Sequence, residues 1–291
     1  LGCLIRGCVT LPLPARACLR SAGLRSLIRH LLVLCCSALS LVVGTVHAAP
    51  PSTYTIATVE LPGFVGAKAD DRPGLAIELA RAAFTAVDIS VEFVRLPMAR
   101  LMVETIAGKH DMMMFSMWFY PAETREKLQF IPMISMTSVA FFSKLHFKSQ
   151  SEDVDEVLER ETVVTNFAPV SALTKGVKHR IVRSPASVLD LVMSGREKLG
   201  VLPWLAMTDL NQRNFPGRKD EIQILHKAVM HAPFGLAFSL DNPDSQAAHA
   251  AFSKGLSIIE NSGVADEIRS RYYTSLKRYD EIVSMDALYN H

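Results

Sequence analysis

The stretch LAIELARAAFTAVDISVEFVRLPMARLMVETIAGKHDMMMFSM, residues 75–117, alternates between two hydrophobic periodicities. Apolar side chains recur at helical spacing over 75–84 and over 98–106, which predicts two amphipathic helices. Residues 89–93 alternate apolar and polar side chains, and 112–117 form a continuous apolar run, so both segments are predicted to be strands. Because β-α-β units build parallel sheets flanked by helices, the stretch predicts a parallel α/β fold.

A strand over Tyr54–Val59 precedes this stretch, and a second set of short elements follows it. The predicted strands and β-rich runs of the second set cover 162–166, 181–182, 199–202, 222–225 and 235–240. The predicted helices cover 171–177, 187–193, 205–214, 246–259 and 265–273, and a loop with a helix covers 149–161. Two successive α/β units predict two lobes around a ligand cleft, with the ligand at the carboxyl ends of the strands.

The composition is that of a globular protein, with 49% hydrophobic and 21% charged residues among 291. These proportions exclude a disordered, collagen-like or coiled-coil chain. All five Cys and five of the Arg, but no Asp or Glu, fall within residues 1–48. Without that segment 26 Lys and Arg (31 less five) stand against 29 Asp and Glu, so the net charge is −3. The remaining chain therefore gives no argument for nucleic-acid binding, and it holds no thiol for a disulfide or a metal site.

The first 48 residues have the pattern of a secretory signal peptide. Arg25 and Arg29 precede an apolar run over 31–46, and Val46-His47-Ala48 places small residues at the −3 and −1 positions. The alternative is a transmembrane anchor, but spanning a bilayer takes about 20 apolar residues and this run is shorter. We therefore expect cleavage near Ala48 and export of the remaining chain to the periplasm.

Seven short sequence motifs follow one another along the chain. Their order is more specific for a protein family than any one motif. They are Tyr54-Thr-Ile-Ala-Thr with Leu61-Pro-Gly-Phe64, Gly74-Leu-Ala-Ile-Glu-Leu-Ala80, Leu96-Pro-Met-Ala-Arg100, Gly108-Lys-His-Asp111, Phe115-Ser116 with Glu123-Thr-Arg-Glu-Lys127, Ser194-Gly-Arg196, and Ser262-Gly263. Over about residues 54–275 the chain resembles the periplasmic solute-binding proteins of polar amino-acid ABC importers (extracellular solute-binding protein family 3). The resemblance implies the type II periplasmic-binding-protein fold, with two α/β lobes around a ligand cleft.

The resemblance also implies how the lobes divide the chain. Lobe 1 is expected to be discontinuous, over 49–143 plus 235–291, and lobe 2 is expected over 144–234. The chain would then cross between the lobes twice, near Ser143-Lys144 and near Met230–Phe234.

In lobe 1 the resemblance assigns Arg125 to the carboxylate of the ligand, because a planar guanidinium donates two parallel hydrogen bonds. The alternative is a solvated Arg within a charged run. Phe64, Phe115 and Trp118 could form apolar walls around the ligand, with core packing as their alternative. Ser116, at a strand end, could form a hydrogen bond to the ligand through its hydroxyl.

In lobe 2 the turn Asn166-Phe167-Ala168 joins a strand to a helix, and the resemblance implies that its backbone N–H groups contact the acid group of the ligand. The alternative is a simple helix cap. Family members that bind α-amino acids place an Asp just after the Ser-Gly-Arg strand, whereas this chain has Pro203-Trp204 there. A buried ammonium without a carboxylate is costly, so a ligand held through its acid group or stacked on Trp204 fits better.

The resemblance thus implies a monomeric periplasmic binding protein without a cofactor, which captures a small polar, carboxylate-bearing ligand (an amino acid or a related compound) for an inner-membrane ABC permease. One alternative is an enzyme on the same fold, similar to cyclohexadienyl dehydratases, which would need a general acid such as Glu60 or Glu78. Another alternative is a free-standing ligand sensor. The Met residues over 112–114 could suggest a copper site, but consecutive strand residues point to opposite faces, which favours core packing and no metal.

Overall fold

A computed structural model of the chain describes residues 53–66, 72–147, 154–167 and 177–273. The strands are β1 (Thr53–Thr58), β2 (Ser90–Arg95), β3 (Met112–Phe115), β4 (Leu128–Ser143), β5 (Thr162–Thr165), β6 (Lys178–Ile181), β7 (Leu199–Pro203) and β8 (Ile222–Ser239). The α-helices are α1 (Leu75–Thr85), α2 (Met98–Ile106), α3 (Ala122–Arg125), α4 (Val154–Arg160), α5 (Pro185–Met193), α6 (Trp204–Asn214), α7 (Pro243–Asn261) and α8 (Val264–Tyr273). The predicted signal peptide, residues 1–48, lies outside the described residues, and so does the predicted helix over 171–177 apart from its last residue.

The strands of the described chain form one mixed sheet in the order β2-β1-β3-β8-β4-β7-β5-β6. Strand β1 pairs in parallel with β2 and β3, and β5 pairs in parallel with β6 and β7. Strand β8 runs antiparallel to β3 and β4, and β4 runs antiparallel to β7. The predicted parallel α/β arrangement is therefore confirmed within each set of three strands, and the two sets run in opposite directions.

The two longest strands join these sets, and the periodicity analysis did not find them. It assigned no element to 128–143, and its division of 222–240 into two separate β-rich runs is wrong, because β8 is one strand of 18 residues paired with the 16 residues of β4. Strand β4 is continuously buried from Met133 to Ser143 and contains the exposed Pro132 before that run, so its sequence shows neither alternation nor an uninterrupted strand signal.

The pairing register brings the carboxyl ends of the two parallel sets towards each other. Phe115, the last residue of β3, faces Pro132 of β4 across one residue of β8. Pro203, the last residue of β7, pairs with Ser138 of β4. The short stretch 133–137 of β4 separates these two points, so a cleft can form between the two carboxyl edges.

Helices cover the sheet and bury two hydrophobic clusters. In the larger cluster α1 packs against α7, and the ring centroids of Phe84 and Phe252 lie 5.3 Å apart. In the smaller cluster α5 and α6 pack against buried side chains of β4 such as Phe141. The Met residues over 112–114 are buried in the larger cluster.

Two of the helices begin at residues that the sequence marks clearly. Ser184 caps α5 by accepting a hydrogen bond from the N–H of Ser187, and Asn242 caps α7 by accepting from the N–H groups of Asp244 and Ser245. A Pro follows each cap at the first helical position, where its missing N–H costs nothing. No helix in the described ranges is long and apolar enough to cross a membrane.

Gly255 is the point of closest approach between α7 and α1. A Cβ added there would lie 1.9 Å from the carbonyl oxygen of Ala83, so the two helices would have to separate. We expect Gly255→Ala to lower the free energy of unfolding by about 1–3 kcal/mol, although Ala is the better helix former. Urea denaturation measures the change.

Gly217→Ala is the matched control, because nothing lies within 4 Å of a Cβ added in that turn. It should shift the free energy of unfolding by no more than about 0.5 kcal/mol. A Gly255→Ala protein as stable as its parent would contradict the close packing of α7 on α1.

Candidate functional site

A cleft of about 600 Å³ lies where the carboxyl ends of the two parallel sets converge. Residues at or just beyond the ends of β1, β2 and β3 line one side, and residues at or just beyond the ends of β5, β6 and β7 line the other. Open α/β sheets bind their ligands at this edge, and ligand pockets commonly measure about 300–1,000 Å³.

The floor of the cleft is formed by the middle of the sheet and is largely apolar. Ser138 of β4 stands between Pro203 of β7 and Met230 of β8, and all three residues line the cleft. Met136 also lines it and lies two residues earlier on β4, on the same face of the strand. Flexible thioether side chains adapt to the shape of an apolar group, so this floor suits such a group.

Aromatic rings form one wall. Phe115 and Phe167 line the cleft with their ring centroids 6.3 Å apart, at an interplanar angle of 76°. Phe119 packs against Phe167 at 4.4 Å in a T-shaped arrangement, which supports the wall. Burial raises the pKa of Tyr120, whose ring lies 6.3 Å from Phe115, to about 12, so this phenol stays neutral.

Charged side chains in the described part of the lining lie at the rim. Glu60 follows β1, Arg183 follows β6, and both are exposed. Arg213, near the end of α6, is also exposed and forms an ion pair with Asp209. A ligand in the cleft can therefore meet charge at the rim and apolar surface on the floor.

Three hydroxyl groups line the cleft, and they differ in their hydrogen bonding. Thr165 accepts a hydrogen bond from the backbone N–H of Phe167 at 3.3 Å, and Ser184 caps α5. The hydroxyl of Ser138 is buried and has no hydrogen-bond partner. Buried polar atoms are normally paired, so an unpaired hydroxyl in a cleft is a candidate contact for a ligand.

The sequence profile of the bacterial extracellular solute-binding proteins, family 3, matches residues 41–275. The chain belongs to this family. The predicted family is therefore confirmed, and the family is one of bacterial extracellular proteins that bind solutes.

Solved structures of other proteins share the fold of this solute-binding chain. An ancestral arginine-binding protein bound to arginine has a TM-score of 0.60 at 18% identity, over 77% of this chain and 100% of that chain. A histidine kinase sensor domain with similarity to periplasmic binding proteins has a TM-score of 0.60 at 17% identity, over 76% and 95% of the two chains. The substrate-binding protein of an amino acid ABC transporter has a TM-score of 0.58 at 14% identity, over 76% and 99%.

The TM-scores show a shared fold, which is the predicted type II periplasmic-binding-protein fold, and identities this low show no more than the fold. A comparison with curated protein sequences finds no match. The roles of individual residues in this family member therefore have to be argued from its own cleft.

Three of the predicted ligand-binding residues, Phe115, Asn166 and Phe167, line the cleft. The backbone N–H of Phe167, one of the groups expected to contact the acid group of the ligand, already donates a hydrogen bond to the hydroxyl of Thr165. Ala168 lies outside the described residues.

Three other predicted residues follow β3 but do not line the cleft. Ser116 is buried, and its hydroxyl accepts a hydrogen bond from the backbone N–H of Trp118. Strand β3 ends at Phe115, two residues before its predicted end at Met117. Trp118 is 50% exposed. Arg125 is exposed in the last turn of the short helix α3.

The two remaining predicted residues are packed in the interior. Phe64 is 1% exposed, and its ring centroid lies 5.4 Å from that of Phe234. Trp204 begins α6 and packs in the smaller hydrophobic cluster, beside the cleft residue Pro203. The ligand-binding roles of these residues stay predictions.

Sequence reasoning missed two cleft residues that the structure makes prominent, Arg183 and Ser138. Arg183 comes just after the end of β6, so the rule that ligands lie at the carboxyl ends of strands could have found it. Ser138 lies inside β4, which has no alternating pattern, and no local signal marks it.

A polar pair occupies the opposite face of β4 from Ser138. Thr137 Oγ1 lies 3.1 Å from Nδ1 of His231 on β8. Burial lowers the pKa of His231 below its ordinary value, so the folded protein favours the neutral imidazole.

This shift predicts a pH dependence of stability. Between the ordinary pKa of a His, about 6.5, and the lowered value, the unfolded chain binds more protons than the folded one. The free energy of unfolding therefore falls as the pH is lowered through this interval. We expect His231→Gln to reduce that fall, as measured by urea denaturation at a series of pH values, and an unchanged pH dependence would contradict it.

The different surroundings of two Phe residues predict different costs of truncation. Phe64→Ala removes a ring from the core and should lower the free energy of unfolding by about 3–5 kcal/mol. Phe167→Ala removes a half-buried ring at the cleft and should cost clearly less. Thermal and urea denaturation of both variants measure the difference, and equal losses would contradict the assignment of Phe64 to the core.

Proposed function

We propose that the chain is a periplasmic substrate-binding protein that captures a small carboxylate-bearing ligand, an amino acid or a related compound, for an inner-membrane ABC importer. The observation that carries the proposal is the cleft between the two facing carboxyl edges, in a chain of a solute-binding family. A solved protein of the same fold is the substrate-binding protein of an amino acid ABC transporter. The signal-peptide pattern of residues 1–48 supports export.

Arg183 is the residue that we assign to the ligand carboxylate. It lines the cleft, it is exposed at the rim, and among the described residues no carboxylate forms an ion pair with it. A guanidinium presents a planar pair of donors that matches both oxygens of a carboxylate. Arg125, which the family resemblance favours, is the competing assignment.

We further propose that the predicted lobes close on the ligand by a hinge in the middle of β4 and β8. These two strands are shared by both ends of the sheet, and their pairing register shifts between Ser138 and Val139. Bending is easiest where ladder hydrogen bonds are interrupted. The hinge would lie beside the expected crossing near Met230–Phe234, because Ser138 pairs with Met230.

A free-standing sensor is the second candidate function, because a histidine kinase sensor domain shares the fold. Both functions need the same binding step, so they differ in the partner that recognises the liganded form. An enzyme would need a positioned general acid, and the carboxylate of the described lining, Glu60, is exposed. Mass spectrometry of a bound compound after long incubation should recover it unchanged, and conversion to a product would overturn the binding function.

The carboxylate assignment is tested with Arg183→Gln and Arg125→Gln. Ligands found in a thermal-shift screen of amino acids, amines and carboxylic acids are measured by calorimetry, each acid beside its amide. We expect Arg183→Gln to weaken binding of the acid by about ten-fold or more, since charge-assisted hydrogen bonds contribute about 1.5–3 kcal/mol. The affinity for the amide should stay unchanged. Arg125→Gln should change neither, and the reverse pattern would move the carboxylate to Arg125.

A further inference from the structure

The floor of the cleft is uncharged and contains an unpaired hydroxyl. Ser138 is 1% exposed, and its Oγ has no hydrogen-bond partner. Its neighbours on the two flanking strands are Met230 and Pro203, and Met136 precedes it on the same face. In the described lining, the carboxylate and the guanidinium groups lie at the rim instead.

This distribution limits what the cleft can hold. A second charge on a ligand would lie on the apolar floor without a partner, and an unpaired buried charge is costly. An apolar ring can instead lie between the thioethers of Met136 and Met230 and the rings of Phe115 and Phe167.

An unpaired hydroxyl alone would not point to a ligand. Ser143, on the same strand, is equally buried and its hydroxyl also has no partner, but it does not line the cleft. The informative feature is that Ser138 belongs to the floor of the cleft, which a bound ligand would cover.

We infer that the cleft selects an acid with an uncharged aromatic body, held by its carboxylate at the rim, with a hydroxyl or carbonyl group at the far end of the ring paired to Ser138. This inference rests on the proposed function and names the ligand class of the same site. Its specificity comes from the floor, which accepts a hydrogen-bonding group and rejects a charged one.

Five probes separate the contributions of the floor. They are 3-(4-hydroxyphenyl)propanoate, 3-phenylpropanoate, L-phenylalanine, L-glutamate and L-arginine, each measured by calorimetry on the exported chain. We expect the hydroxylated acid to bind about three- to ten-fold more tightly than 3-phenylpropanoate, which is the effect of one hydrogen bond. L-Glutamate and L-arginine should bind at least about ten-fold more weakly than either acid.

Ser138→Ala should abolish the preference for the hydroxylated acid and leave the affinity for 3-phenylpropanoate within about two-fold. Ser143→Ala is the matched control, since it removes an equally buried hydroxyl from β4 away from the cleft, and it should keep the preference. Thermal denaturation of both variants verifies that they fold.

The outcomes separate this inference from the proposed function. Binding of L-glutamate or L-arginine as tightly as the ring-bearing acids would overturn the inference and leave the proposed function standing. A preference for the hydroxylated acid that survives Ser138→Ala would overturn the role of Ser138. Failure of all five probes to bind would overturn the inference, and failure of the wider screen of amino acids and acids would overturn the proposed function.

Discussion

The antiparallel pairing of β4 with β8 is the interaction on which the rest of the structure depends. These strands are long enough to hold a parallel set of three strands at each end, and they hold the sets in opposite directions. Opposite directions place all the carboxyl ends towards the middle of the sheet, so the cleft follows from strand polarity. The loops that carry Glu60 and Arg183 then meet across the cleft although they are far apart in the sequence. The same pair of strands supplies the floor, so the frame of the protein is also part of its binding surface.

Charged and apolar groups of the cleft lie at different depths. Charged groups of the described lining lie at the rim, where water solvates Glu60 and Arg183 when no ligand is bound and Arg213 pairs with Asp209. The floor, in contrast, consists of apolar groups that lose little favourable hydration when a ligand covers them, with Ser138 as the exception. A binding protein has to release its ligand as well as capture it, and a site without buried ion pairs avoids the large cost of separating them.

Much of the fold could be predicted from the sequence because the amphipathic elements carry a local signal. The helix over Met98–Ile106 matches its predicted bounds, and β1 and β3 lie within one or two residues of theirs. Strand β4 could not be predicted, because burial of both faces removes alternation and Pro132 interrupts the run. For the same reason, only part of the site could be predicted from the sequence. Asn166 and Phe167 follow a recognisable strand and line the cleft, whereas Ser138 depends on a register between distant strands that no local pattern encodes.

The return of β8 to the first parallel set has a consequence for the order in which the protein can fold. Strand β3 lacks its second neighbour until residues 235–238 have been added, more than 100 positions later in the chain. A chain is synthesised from its amino-terminal end, so this edge is exposed while the second set is still being made. Closing it requires contacts of high sequence separation, which form slowly. The first half of the molecule therefore keeps an unpaired strand edge until its last strand arrives.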